Sequence, residues 1–224
     1  ARDYSSADFT YMFSECPNLK TVPAGLFDTF TKVTSPGYRN LFDSSGIETI
    51  PAGLFAKSTV VSTGFESLFE NCSKLHTIEG SIFPENSGVT SIAYTFCNCP
   101  ELRDIPEDLF APFGEAKLKF TATFAGCSSL EILPAKLFAS NTMAKQFSET
   151  FADCTSLKSI PAGLLDACQD ITTVKGMFHG CTALKSIPEG LFANNRNITS
   201  FEKTFAECKS LKSIPAGLFS SIGT

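Results

Sequence analysis

Apolar positions in this chain return on a fixed beat. A phenylalanine recurs at Phe13, Phe42, Phe69, Phe96, Phe124, Phe151, Phe178 and Phe205. Each opens the phrase F-x-x-C-x-x-L-x-x-I-P-x-x-L-F, read in the last copy as Phe205, Cys208, Leu211, Ile214, Pro215, Leu218 and Phe219. Self-similarity at about 27 residues means stacked coils of one supersecondary unit, each too small to cover its own apolar face.

Within a coil the periodicity changes. Phe201, Phe205 and Cys208 stand at i, i+4 and i+7, one face of a short helix. Thr199 and Glu202 have capping-box spacing at its start. A helix of about two turns does not survive alone in water, so stacking must hold it. The next segment, Leu211 to Pro215, reads as a short extended strand. Stacked in parallel, such strands form a ladder with about 4.8 Å between coils, so eight coils span on the order of 35–40 Å. The recurring proline removes a backbone donor and ends each strand. Pro215-Ala216-Gly217-Leu218-Phe219 then starts a turn that returns Leu and Phe to the core. β-Branched residues around Ile198 to Phe201 leave a second strand open there.

The expected fold class is an α/β solenoid: a superhelix of about eight 27-residue coils. It carries a short parallel β ladder on one face and short helices or turns on the other. The alternative is a mostly-β solenoid with two short strands per coil. The repeat runs without a linker, which makes residues 1–224 a single domain. Solenoids need capped ends, and no cap is recognisable, so the chain is expected to be a piece of a longer protein.

Composition adds to this. Of the aromatic residues 22 are Phe and 4 are Tyr, with no Trp. Phe has no polar handle, so the core should be a Phe and Leu/Ile stack. A net charge of -5 and the absence of basic blocks argue against nucleic acid. No apolar run reaches the length of a membrane span.

Seven cysteines (Cys16, Cys72, Cys99, Cys127, Cys154, Cys181, Cys208) share one repeat position, where the second coil has Ser45. A small buried hydrophobe with a weak donor suits that place, and free thiols are expected. Cys97 is expected to face solvent and Cys168 to sit in a variable loop. Zinc sites want ligands two to four residues apart, which a 27-residue ladder does not offer. The two histidines, His76 and His179, fall in different coils at different positions, so no catalytic constellation assembles. No enzyme activity, cofactor or metal is expected.

Surface columns are the candidate binding features. Lys158, Lys185 and Lys212 follow the ladder Leu in three successive coils, with Ser159, Ser186 and Ser213 beside them. Such a stripe could meet an acidic protein or a sulfated glycan. Equally, these residues could simply keep the sheet soluble. Longer connections supply the other candidates: Pro36 and Gly37 in the segment 28–40, and Phe113 in the segment 111–119, where Phe113 is expected to be exposed.

The run Met177-Phe178-His179-Gly180-Cys181-Thr182-Ala183-Leu184-Lys185-Ser186-Ile187-Pro188 resembles the leucine-rich repeats of BspA-like bacterial surface proteins. Its M-F-x-G-C wording is also similar to repeats of mycoplasma surface lipoproteins. This resemblance covers nearly the whole chain, although the unit here is longer than the family's usual one. It implies a right-handed leucine-rich-repeat superhelix, and an extracellular or cell-surface protein of Bacteroidetes-type bacteria that binds a protein, such as a host matrix or cell-surface protein. Glycan recognition and a spacer role are the alternatives. Sugar platforms favour exposed Trp or Tyr, which this composition scarcely provides.

Overall fold

The fold is that of a computed structural model, which describes residues 7–31, 33, 37–58, 64–85 and 88–222. Its core is a set of side-chain columns running from coil to coil. The eight anchor phenylalanines form one continuous stack, with successive ring centroids 5.3–5.8 Å apart and planes within 1–12° of parallel. This offset arrangement respects the ring quadrupole. A second column starts with Phe9, Tyr38 and Phe65, stacked at 5.4 and 5.6 Å. A third holds Phe83, Phe110 and Phe138, each 6.1 Å from the next. Leu75, Leu102, Leu130, Leu157 and Leu184 fill a fourth column and are fully buried.

Tyr38 stands in a Phe column and needs a partner for its hydroxyl. It meets Ser58 Oγ at 2.7 Å, and Ser58 donates onward to the Phe30 carbonyl at 3.1 Å. Burial pushes the Tyr38 phenol up to about 12.

The expected helix does not form. Among the described residues there is no α-helix; the segments around each anchor Phe are runs of overlapping turns. The residues two before and two after every anchor have positive φ, from Tyr11 and Glu15 in the first coil to Lys203 and Glu207 in the last. A left-handed residue at every fourth position breaks the right-handed helix. It also turns alternate N–H groups along the solenoid axis. Phe120, Ala122, Phe124 and Gly126 donate to the carbonyls of Gln146, Ser148, Thr150 and Ala152 in the next coil, at 2.7–2.9 Å. Within the coil, i to i+3 bonds such as Thr123 N to Phe120 O (3.2 Å) close the turns. Positive φ at the third position of such turns marks the type II form. Stacking thus satisfies donors that a two-turn helix would have left open.

The expected ladder is present only in part. Strands β1 (Thr49–Ile50) and β2 (Thr77–Ile78) pair in parallel, and Thr21 bridges to Thr49. The reason lies one residue further on. The position after the ladder Ile, Val or Leu is Pro in seven coils and Glu79 in one. Glu79 has the N–H that proline lacks, and it donates to the Ile50 carbonyl at 3.0 Å. From the middle of the chain onward, bridges run elsewhere: Ser91 to Lys119, then Gln146, Thr173 and Ser200. That second column lies in the segment left open as a strand. The architecture is therefore a turn-rich solenoid with two partial bridge columns, nearer the mostly-β alternative than the α/β expectation.

Three further columns stitch the interior. Six cysteines (Cys72, Cys99, Cys127, Cys154, Cys181, Cys208) donate Sγ–H to the carbonyl of the anchor Phe one coil earlier, at 3.1–3.3 Å. Thr95, Thr123, Thr150 and Thr204 reach carbonyls of the previous coil at 2.9–3.2 Å. Asn141 and Asn195 do the same from the far side, donating to Phe110 and Leu165 carbonyls at 3.0 and 3.1 Å. A coil without regular secondary structure leaves carbonyls inside, and these side chains supply the donors they require.

All nine cysteines are free thiols. Two differ from expectation. Cys97 is buried rather than solvent-facing, only 8 % exposed. Cys168 is fully buried in the column of Asn141 and Asn195 and donates to the Phe138 carbonyl at 3.6 Å. Its place is a fixed interior one, not a variable loop.

Candidate binding face

The coil face carrying β1 and β2 presents two outward residues per coil, exposed in all but the second coil, where Glu48 and Thr49 are half-buried. Their direction follows from the neighbours on each side in the interior coils: the apolar residue before them and the Ile or Leu after them are buried, so the pair between must turn out. Lys158, Lys185 and Lys212 are exposed on this face, as are Ser159, Ser186 and Ser213. The stripe is less basic than it reads, because Lys158 is paired with Glu131 of the preceding coil. Among the described residues Lys185 and Lys212 form no ion pair, so the unneutralised charge sits at the C-terminal end.

Elsewhere on the same face charges are matched between coils. Lys20 meets Glu48 at 2.9 Å and Lys74 meets Glu101 at 3.1 Å. The hydrogen bond from Lys20, with its charge second, holds the Glu48 carboxyl below its ordinary range. Such exposed pairs add little stability. They do fix which charges remain available to a partner.

The middle of the face breaks the Thr/Ser pattern. Asp104 and Ile132 occupy the places held elsewhere by Thr or Ser. A shallow depression of about 350 Å³ is lined there by Arg103, Asp104, Ser129, Glu131, Ile132 and Ser156. A second of about 300 Å³, lined by His76, Thr77, Glu101, Arg103 and Asp104, adjoins it. Ile132 is 68 % exposed, and among the described residues Arg103 forms no ion pair. The column interruption was the sequence signal for this spot, visible only once the coils are aligned in register.

The loop candidates fare differently. Pro36 lies outside the described residues. Gly37 is buried, with φ of 67°, and its carbonyl accepts the Phe9 N–H at 3.1 Å. Phe113, expected to be exposed, is fully buried. It ends the 3-10 turn Ala111–Phe113 and packs on Phe83 with ring centroids 4.8 Å apart. The extra residues of that segment fold a ring into the core instead of projecting one. Both residues belong to the scaffold and offer no side chain to a ligand.

Among the described residues no group of three or more His, Cys, Asp or Glu could hold a metal ion. No helix there is long and apolar enough to cross a membrane. The buried thiols are weak acids: burial raises Cys72 to about 11, and burial, then Glu70 and Glu149, raise Cys97 to about 11. The fully buried Cys99 and Cys154 are pushed well above the ordinary thiol value by burial. A thiol held neutral is a poor nucleophile, so these groups serve packing.

No protein-family model matches the chain, and no curated protein sequence matches it. Similar folds occur among solved structures. A leucine-rich repeat protein from Bacteroides ovatus shares 25 % identity, with a TM-score of 0.40 over 79 % of this chain and 45 % of that one. A leucine rich cell surface protein from Faecalibacterium prausnitzii shares 23 % identity, with a TM-score of 0.46 over 95 % of this chain and 57 % of that one. The T. pallidum leucine rich repeat protein shares 20 % identity, with a TM-score of 0.33 over 81 % and 78 %. The chain spans about half the length of the first two. These three solved structures, to which the chain is similar, are bacterial leucine-rich-repeat proteins.

Proposed function

We propose that the chain is a non-enzymatic protein-binding module that acts at the bacterial surface, its coils winding right-handed. One observation carries this reading: a rigid stack of coils holds exposed side chains in register on a single face. The exposed pair in each coil is free to vary while its buried neighbours are not. Such a face suits a broad partner surface more than a small substrate. The resemblance of the repeat phrase to BspA-like proteins supports the extracellular location and the protein class of partner. Lys185 and Lys212, with Ser186 and Ser213 beside them, form the basic end; Arg103, Asp104 and Ile132 form a mixed centre, and Lys158 is held by Glu131.

The test is binding of the chain to an array of matrix and cell-surface proteins and sulfated glycans at physiological salt. Two variants run alongside it, Lys185→Glu/Lys212→Glu and Arg103→Glu/Ile132→Asp. All four positions are exposed, so folding should be kept. Loss of a protein hit in either variant supports the face as the binding surface. A hit that survives in both removes this face from consideration. A hit confined to sulfated glycans replaces the protein reading with glycan recognition.

A further inference from the structure

The ladder face loses its backbone bonds around one interior coil. Along this face, the N–H of the residue after the ladder Leu donates to the carbonyl of its equivalent one coil earlier. Glu48 reaches Lys20 at 3.0 Å, His76 reaches Glu48 at 3.1 Å, Lys158 reaches Glu131 at 3.1 Å and Lys185 reaches Lys158 at 3.4 Å. At Arg103, in the fourth coil, the series stops on both sides. Among the described residues the Arg103 N–H does not reach the His76 carbonyl, and the Glu131 N–H does not reach the Arg103 carbonyl. Among the described residues of the interior coils, Arg103 alone in this column has both backbone groups open. The same residues line the two depressions of the face. His76 and Arg103 border the one of about 300 Å³, and Arg103 and Glu131 the one of about 350 Å³.

Side chains single out the same place. The acids beside it are already engaged, Glu101 by Lys74 at 3.1 Å and Glu131 by Lys158. Arg103 and Asp104 are exposed and form no ion pair among the described residues, and Ile132 is 68 % exposed. A cation, an anion and an aliphatic side chain thus stand uncommitted within two adjacent coils.

The open backbone groups alternate along the axis as acceptor, donor, acceptor and donor: the His76 carbonyl, the Arg103 N–H, the Arg103 carbonyl and the Glu131 N–H. A peptide main chain carries both kinds of group, whereas a sulfate offers acceptors alone. Extended segments that bind free backbone groups take their specificity from the side chains alongside.

We propose that this break in the ladder is where the face reads its partner, by taking an extended peptide segment that carries an acidic, a basic and an aliphatic side chain close together. The proposal rests on the ladder face being the binding surface. The acid meets Arg103, the base meets Asp104, and the aliphatic side chain lies on Ile132 in the larger depression. The segment's main chain answers the open N–H and carbonyl groups.

The probe is a library of random linear peptides displayed on phage and selected on the immobilised chain. Selected peptides should share an acid, a base and an aliphatic residue, and are then measured as free peptides by fluorescence anisotropy. Two variants test the break: the charge swap Arg103→Asp/Asp104→Arg, which leaves net charge unchanged, and Ile132→Ser, which restores the residue type of neighbouring coils. Each should weaken binding on the order of tenfold or more. Lys185→Glu/Lys212→Glu, on the same face but away from the break, should leave it unchanged. All these positions are exposed, so circular dichroism should not alter. Peptides that ignore the swap and Ile132→Ser but are lost with Lys185→Glu/Lys212→Glu overturn the proposal and leave the face as the binding surface. Peptides that ignore all three variants overturn both readings. A library that yields no shared pattern overturns the proposal alone. So does heparin that binds the unaltered chain but not the charge swap, which would make the break an anion site for sulfated glycans.

Discussion

Replacing Phe151 by Ala tests whether the anchor stack holds the coils together. Phe151 is fully buried, with Phe124 and Phe178 each 5.7 Å away and Phe138 at 6.2 Å. Deleting such a ring removes its transfer free energy and leaves a cavity walled by three rigid rings, at a cost of about 3–5 kcal/mol. Phe205 occupies the same column in the last coil, half-buried, stacked on Phe178 at 5.7 Å with Phe192 tilted against it at 6.5 Å. With roughly half the contact and an end that can relax, Phe205→Ala should cost about half as much, ~1.5–2.5 kcal/mol. Phe151→Leu keeps most of the volume and should cost less than about 1.5 kcal/mol. For a chain of this size each kcal/mol lowers the melting temperature by about 2–4 °C, so Phe151→Ala should melt roughly 6–20 °C early. Urea and thermal unfolding followed by circular dichroism measure the series. Equal losses at Phe151 and Phe205, or a loss at Phe151 under about 1.5 kcal/mol, would show that the stack is not what secures the coils.

Other consequences are equally open to measurement. The buried thiols ionise in the unfolded chain near their ordinary value of 9.0 but stay neutral when folded, with Cys72 near 11 and Cys168 near 12. Above pH 9 the unfolded state therefore binds fewer protons, and stability falls by about 1.4 kcal/mol per pH unit for each such thiol. Their contribution is intact below pH 9, and urea midpoints should drop steeply between pH 9 and 11; a flat profile there refutes the buried-thiol column. A thiol reagent at neutral pH should find nine groups in denaturant and few in the native chain. Gly64 has φ of 84°, and a Cβ there would lie 1.9 Å from the Ser91 carbonyl oxygen. Gly64→Ala should thus cost about 2–4 kcal/mol, whereas Gly217→Ala, with Ser220 Oγ 3.9 Å away and no positive φ, should be neutral or slightly stabilising. Comparable melting temperatures for the two glycine variants would contradict the turn geometry.

The repeat, the columns and the inward residues were legible in the sequence because burial follows period alone. The conformation of the Phe-x-x-x-Phe-x-x-Cys segment was not. Spacing of i, i+4 and i+7 puts three side chains on one side both in a helix and in a run of four-residue turns. The deciding signal was the residue before the ladder Cys: Asn71, Asn98, Gly126, Asp153 and Gly180, types that tolerate a left-handed backbone. Phe113 was misplaced because an insertion was equated with projection, although Pro112 and Gly114 allow a tight turn that folds the ring back. On the candidate face the exposed columns were readable. Neutralisation of Lys158 by Glu131 was not, since it depends on which neighbour along the axis each long side chain selects.

The cysteine, threonine and asparagine stitches each join residues 30 or 31 apart. Every added coil therefore closes a loop of nearly the same length, at nearly the same entropic cost. The first pair of coils must form without a template; each later one settles on a surface already made. Folding can begin at any adjacent pair and spread both ways, and opening should begin at the termini. Amide exchange should accordingly be slowest near Phe124 and Phe151 and quicken toward both ends, making the position of a coil along the axis, rather than its own sequence, the main determinant of its lifetime.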